Sequence, residues 1–309
     1  MKYYFIVNPG SRTGKGRELW TVMEKRLERS GKDYEVVFTS GKNDAGRAAA
    51  SICEKDPGMK RIVVAGGDGT INEVVNGLPS GAKVMLGFLP TGSSNDLARG
   101  LGIPGDPLKA FERCLSPRYF EKIDTGYTGF GNDAEKGIHF AVSSSIGYDA
   151  QICHKALTSR LKKFLNRIGK GRLVYYITGI FMIFRCPHTA AEVIIDGKRK
   201  LTYKKLIFAS AMNTRYEGGG MPMGPDADPT DGKVTMCIVH DISRIKHFLY
   251  MPSVIKANHV KKKGVEQITC RTCEIRTAEP LCVHVDGEPA GIRNHVVFSC
   301  AGEKLRIMK

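Results

Sequence analysis

The residues with the clearest chemical purpose lie in Gly66-Gly67-Asp68-Gly69-Thr70, which Ile71, Asn72 and Glu73 follow. Three glycines in four residues let a backbone turn sharply and come close to a ligand where a Cβ would clash. Backbone N–H groups aimed from such a turn and from a following helix N-terminus suit a phosphate. Asp68 does not, because a carboxylate among phosphate-seeking amides repels the ligand unless a divalent cation lies between them. These residue types point to a metal–nucleotide site, with an ordinary glycine turn as the alternative. Neither standard nucleotide motif is present. From Gly67 and Gly69, the third position of G-x-G-x-x-G falls on Asn72. The stretch Gly10–Gly16 is one residue short of G-x4-G-K-[ST] and lacks the hydroxyl after its lysine.

The elements that must position Asp68 are legible around it. Arg61–Ala65 is a short β-branched run of the kind buried on both faces. Thr70 can cap a helix whose apolar face is Ile71, Val74, Val75 and Leu78. Over the first 125 residues, strands are predicted at Tyr3–Val7, Tyr34–Thr39, Ile62–Ala65 and Val84–Leu89. Helices are predicted at Gly14–Arg29, Ala45–Cys53, 71–78 and Asp106–Leu115. This alternation implies a doubly wound, mainly parallel sheet with its ligand at the carboxyl ends of the strands. The polar glycine loops 8–16, 66–70 and 90–96 all follow strands, so all three can converge on that edge.

From about residue 126 the pattern changes to strands joined by tight turns. Strands are predicted at Ile138–Ser143, Ala191–Ile195, Leu201–Met212, Val234–His240, Gln267–Thr277, Leu281–Val285 and His295–Ser299. Asp196-Gly197, Asp231-Gly232 and Asp286-Gly287 supply turn signals. An antiparallel β-sandwich follows. A helical insert over roughly 146–184 interrupts it. There Leu157, Leu161, Phe164, Leu165 and Ile168 alternate with Lys155, Arg160, Lys162, Lys163 and Arg167, giving a basic amphipathic helix over 155–168. Its apolar face could meet a membrane or pack on the sandwich.

Composition narrows the classes. Hydrophobic content of 42% and charged content of 25% exclude disordered and fibrous chains. The net charge is +16, and residues 151–200 hold eleven Lys or Arg against Glu192 and Asp196, a local excess of +9. Such a region seeks an anionic partner. No signal peptide or membrane-spanning run is evident. Nine cysteines without a framework spacing imply reduced thiols and a cytoplasmic setting. Cys270-Arg271-Thr272-Cys273 has no second pair to complete a zinc knuckle.

With GGDGTINEVVNG and PTGSSNDLARGLGIP both present, the sequence resembles the soluble bacterial diacylglycerol and lipid kinases. These share a catalytic domain with sphingosine and ceramide kinases and are more distantly similar to NAD kinases. Asn8-Pro9, Lys122–Asp124, Gly218–Asp231 and Val285–Glu288 extend the match along nearly the whole chain. The resemblance implies an ATP-binding α/β domain over 1–125, completed by a returning segment of about 296–309. It implies a β-sandwich substrate domain over 126–295, with the nucleotide cleft between the two.

It also implies roles. Asn8, Thr39, Gly66, Gly67, Asp68, Gly69, Thr70, Ile71, Asn72, Ser93 and Asn95 match positions in the ATP loops, Ser93 standing where threonine is common. Asp68, Asp96 and Asp124 match an acidic network for catalytic Mg2+, and Glu288 matches the general base that takes the lipid hydroxyl's proton. Asp228, Asp231 and the carbonyl of Lys233 match a second, structural Mg2+ or Ca2+ site, although Lys233 replaces the usual apolar residue. The expected enzyme is an ATP-dependent lipid kinase, most plausibly making phosphatidic acid from diacylglycerol. It would be peripherally attached to an anionic membrane surface, and the resemblance allows a homodimer. Replacing Asp68 or Glu288 with alanine should abolish transfer while leaving stability nearly unchanged. The alternatives are a kinase for another hydroxyl lipid or for a soluble hydroxyl compound such as NAD. A nucleic-acid binder is disfavoured because no reader motif accompanies the basic stretch.

Overall fold

The computed structural model describes residues 1–14, 16–131, 133–158 and 173–309. They form two compact units, Met1–Ile123 with Glu303–Lys309, and Asp124–Gly302.

In the first unit β1 (Tyr3–Val7), β2 (Tyr34–Phe38), β3 (Lys60–Gly66) and β4 (Val84–Pro90) run parallel in the order β4-β3-β1-β2. The end of β13 (Glu288–Met308) lies parallel beside β4, pairing Arg306 with Met85 and Ile307 with Leu86. Phe5, Ile6, Ile62, Val63 and Val64 are fully buried, as a strand covered on both faces requires. The helices are α1 (Gly16–Arg29), α2 (Asp44–Lys55), α3 (Asp68–Gly77), α4 (Asp96–Gly100) and α5 (Pro107–Leu115). The α5 start is fixed by Asp106, whose carboxylate accepts from the N–H of Leu108 at 2.8 Å, with proline at the first helical position. Helices α2 and α3 cross where Gly46 meets Gly77; a Cβ on Gly77 would stand 2.2 Å from the Gly46 carbonyl oxygen. One start differs from expectation. α3 begins at Asp68 with Gly67 as its cap, so Thr70 lies inside the first turn rather than ahead of it.

In the second unit β5 (Phe120–Phe130), which enters it from the first, forms a hairpin with β6 (Asp133–Phe140). β7 (Ser143–Gly147), β8 (Thr189–Ile195), β9 (Arg199–Met212), β10 (Val234–His240), β11 (Val265–Cys270) and β12 (Thr272–Val285) follow. β9 and β12 each pair with β8 along one part and with β7 along another, which folds the antiparallel sheet over on itself. The predicted strand Gln267–Thr277 is in fact two, because the chain bends at Arg271 and changes pairing partners, with Asp196 accepting the N–H groups of Arg271 and Thr272. Alternation sets the layers. Leu206, Ala209 and Ala211 of β9 enter the sandwich core with Val234, Met236 and Ile238 of β10. Ile207, Phe208, Cys237 and Val239 face a second core beneath the helices. Those helices are α6 (Tyr148–Thr158), α7 (Leu173–Arg185) and α8 (Arg244–Val254). Most of the predicted basic helix over 155–168 falls outside the described residues.

Candidate active site

In the first unit, the loops after β1, β3 and β4 are tied to one another. Asn8 Nδ2 donates to Thr70 Oγ1 at 3.1 Å, and Asn8 Oδ1 accepts the Gly10 N–H at 3.0 Å. Gly66 has no room for a side chain, since a Cβ there would meet Thr70 Cβ at 2.5 Å. Gly67 and Gly92 touch backbone to backbone: a Cβ on Gly92 would stand 2.4 Å from Gly67 Cα. The Thr91 N–H donates to the Gly66 carbonyl at 3.0 Å. Asn95, left-handed at φ 54°, clamps its own loop by accepting the Gly92 N–H at 2.9 Å and donating to the Gly92 carbonyl at 3.0 Å. Ser93 lies within that clamp. Thr39 is buried at the end of β2, its N–H donating to Val7 O at 2.9 Å. Beyond it Asp44 accepts the N–H groups of Ser40 and Gly41, each at 2.8 Å, and the Ser40 hydroxyl; these bonds pull its pKa down to about 2.

Asp68 joins two of the loops. Its Oδ2 accepts the Asp96 N–H at 3.1 Å and its Oδ1 the Leu97 N–H at 3.2 Å, so the carboxylate caps α4. Burial raises its pKa against the opposing pull of those backbone donors. Asp96 is itself buried, with Arg99 Nε at 4.0 Å. Both acids are thus largely buried, with the Asp68 carboxylate held on the backbone of Asp96 and Leu97 at the start of α4.

The other predicted acids belong to the second unit. Asp124 is buried; its Oδ2 accepts the Gly232 N–H at 2.7 Å and its own N–H donates to Pro229 O at 2.6 Å. The loop Asp228–Lys233 is therefore pinned to Asp124. Within the loop Asp228 Oδ1 accepts from the Thr230 N–H and hydroxyl, and Asp231 Oδ1 accepts the Lys233 N–H at 2.9 Å. Both carboxylates are exposed.

Glu288 follows the two-residue turn Asp286-Gly287, where Val285 pairs with Glu288 and φ is positive at both turn residues. The turn is anchored twice. Asp286 accepts the N–H groups of Ala141, Val142 and Ser143 at 2.8–3.0 Å. The Gly287 N–H donates to Nδ1 of the fully buried His284 at 3.2 Å. His284 Nε2 lies 3.0 Å from Asp149 Oδ2 and 3.1 Å from Glu217 Oε1. Glu217 also accepts from the hydroxyls of Ser143 and Ser210. Sequence reasoning missed this brace, because its members are 74 and 135 residues apart in pairs, and although Glu217 and His284 each adjoin a motif, neither motif includes them. Asp149, Glu217 and His284 form the one group among the described residues with the spacing of a metal site. Two carboxylates favour a proton on the ring, and the Gly287 N–H pointing at Nδ1 puts that proton on Nε2. A cation on Nε2 would require the proton to move to Nδ1, against Gly287. The trio is a hydrogen-bonded brace.

None of the nine cysteines is in a disulfide, and burial pushes the Cys114 and Cys237 thiols up to about 12. No helix among the described residues is long and apolar enough to cross a membrane.

A parallel α/β unit with interlocked glycine loops, together with an antiparallel β unit, is the NAD kinase-like fold. The fold matches an NAD kinase from Archaeoglobus fulgidus in complex with ATP at a TM-score of 0.53, with 12% identity, covering 100% of this chain and 94% of that chain. It matches a diacylglycerol kinase from Bacillus anthracis str. Sterne at 0.70, with 19% identity, covering 99% and 96%. Residues 2–127 match the diacylglycerol kinase catalytic domain, and residues 142–309 match the YegS C-terminal NAD kinase beta sandwich-like domain. The chain belongs to the diacylglycerol kinase/YegS family of lipid kinases, as its two glycine motifs implied. A relative in Chromohalobacter salexigens named as a YegS-like lipid kinase is 30% identical over 284 residues, covering 89% of this chain and 85% of its own. The diacylglycerol kinase of Bacillus subtilis (strain 168) is 29% identical over 294 residues, covering 93% and 89%.

Proposed function

We propose that this kinase transfers the γ-phosphoryl group of ATP to a free lipid hydroxyl, with diacylglycerol as acceptor and phosphatidic acid as product. The observation that carries it is the pairing of Asp68 and Asp96 by backbone bonds among glycine loops that exclude side chains. The first unit, Met1–Ile123 with Glu303–Lys309, takes the nucleotide, and the second, Asp124–Gly302, takes the lipid. Asn8, Thr39, Gly66–Asn72, Ser93 and Asn95 supply amides and hydroxyls to the triphosphate. The donor set fits a hard cation: Asp68 is an oxygen ligand whose charge is disfavoured by burial, and a divalent ion would relieve that. Asp68, Asp96 and Asp124 would hold Mg2+, which offsets charge on the transferring group when bound. Asp228, Asp231 and the Lys233 carbonyl would hold a second Mg2+ or Ca2+, each carboxylate using one oxygen locally and keeping another for the ion. Glu288, fixed on its braced hairpin, takes the proton of the lipid hydroxyl. The enzyme acts in the cytoplasm, peripherally attached to an anionic membrane, where its poorly soluble acceptor resides.

The test offers purified protein γ-labelled ATP, Mg2+ and a panel of acceptors: diacylglycerol, sphingoid bases and phosphatidylglycerol in mixed micelles, and NAD in solution. Label in phosphatidic acid supports the proposal. Label in NADP alone, or in no lipid, rejects it.

A further inference from the structure

Of the large exposed apolar side chains described in the second unit, all but Ile255 and Ile292 lie on two neighbouring helices. On α7 they are Ile177, Ile180, Phe181 and Phe184, at helical spacing on one side, while Met182, Ile183 and Cys186 are buried on the other. On α8 they are Ile245, Phe248 and Leu249, again one turn of spacing, over the buried His247. These seven side chains are between 42% and 67% exposed, too many in one place for ordinary surface. The two stripes are continuous, since the Phe184 and Phe248 rings touch with centroids 6.4 Å apart. They are also held rigidly. Arg244, at the start of α8, donates to the carbonyls of Ile183 and Cys186 at 2.6 and 2.9 Å. Beneath them the Tyr148 hydroxyl donates to Gly179 O at 2.9 Å, and the Tyr148 ring packs on His247.

The two segments that carry this face are basic, with the exposed Asp241 just ahead of α8. Residues 242–264 contain Arg244, Lys246, Lys256, Lys261, Lys262 and Lys263 and no acid. Residues 173–188 contain Arg185 and no acid. The Arg185 guanidinium lies over the Phe181 ring at 4.1 Å, which keeps a cation at the apolar edge. A groove of about 600 Å³ opens there between Lys155, Arg185, Ile177 and Phe181.

Given the lipid kinase function proposed above, we propose that the α7–α8 face is the surface by which this chain docks on an anionic bilayer, its apolar stripes entering the headgroup region and its lysines and arginines meeting lipid phosphate. Apolar stripes carried by predominantly basic segments match both layers of such a surface. A second copy of this chain is the poorer occupant, because an isologous dimer through this face would set cation against cation. An acidic protein partner would satisfy the charges but not seven exposed apolar side chains with bilayer depth to fill.

The experiment sediments the full chain with vesicles of phosphatidylcholine alone and with added phosphatidylglycerol, at rising salt, with a thermal melt confirming that each variant is folded. The wild type is expected to partition to the anionic vesicles and to be released by salt. The triple variant Ile180→Ser, Phe184→Ser, Leu249→Ser is expected to lose at least roughly tenfold in partition. The double variant Lys246→Glu, Lys256→Glu is expected to lose a similar factor at low salt only. Turnover of a short-chain, water-dispersed diacylglycerol without vesicles should be equal in all three proteins. Wild type that ignores anionic vesicles, or variants that bind like wild type, overturns the docking surface. So does a wild-type dimer that the triple variant dissolves, which would assign the face to a second copy. Failure of every protein to phosphorylate the dispersed lipid would instead count against the proposed activity, whatever the vesicles show.

Discussion

Asp68 offers the sharpest perturbation, because the structure gives it two separable tasks. Its two oxygens accept the N–H groups that open α4, and its charge is the proposed metal anchor. Asp68→Ala removes both. Loss of a helix cap costs about 1 kcal/mol, which in a unit of this size lowers Tm by roughly 3–6 °C. The expectation from sequence, that alanine here would leave stability nearly unchanged, therefore does not hold. Asp68→Asn removes the charge, keeps one acceptor and sets an amide donor against the other backbone N–H. Burial raises the Asp68 pKa, so the stabilising contribution of its proton is complete below the unfolded pKa and lost as pH rises through the folded value. Near neutrality the ionised carboxylate is a burden in the metal-free protein, and the amide escapes it. Differential scanning calorimetry without metal should therefore rank Asp68→Asn above Asp68→Ala, with Asp68→Ala clearly below wild type. Adding Mg2+ with nucleotide should raise Tm for wild type more than for either variant, and both variants should lose phosphoryl transfer. Equal melting of Asp68→Ala and wild type would refute the cap, and full turnover by Asp68→Asn would refute the anchor.

Two further outcomes follow from the second unit. An Asn side-chain oxygen can replace His284 Nδ1 as acceptor for the Gly287 N–H, whereas Gln places its amide nearer the Nε2 position. His284→Asn should thus keep more kcat than His284→Gln, by tenfold or more if the Glu288 turn shifts by about 1 Å, with both variants less stable; equal kcat would remove His284 from any positioning role. Burial and the nearby charges of His188 and Arg244 hold the pKa of His247 down to about 4. A neutral buried histidine stabilises above its unfolded pKa, so Tm should fall as pH drops from about 6.5 toward 4, and His247→Phe should flatten that slope; an unchanged slope would contradict it.

The parts legible in the sequence are the local ones. Strands such as Tyr3–Val7 and Val234–His240 announce themselves because a doubly buried strand must be apolar throughout. The glycine loops and the Asp286-Gly287 turn are legible because backbone geometry restricts residue type at single positions. β5 gives little signal, with Asp124, Thr125 and Gly126 in a row, since its partners rather than its pattern make it a strand. α8 is obscured by Pro252 and by an apolar stripe facing outward. The capping of α4 by Asp68 spans 28 residues, and the bond from His284 to Asp149 spans 135. Pairings at such separation are set by topology, which no local pattern encodes.

The central claim is that Glu288 draws the proton from a lipid hydroxyl as the phosphoryl group arrives. The direct measurement is label transferred from γ-labelled ATP into phosphatidic acid by wild type and by Glu288→Gln, at saturating ATP and diacylglycerol. The account predicts a loss of about 10²-fold or more in kcat with unchanged nucleotide affinity. Glu288→Gln turning over like wild type would contradict it.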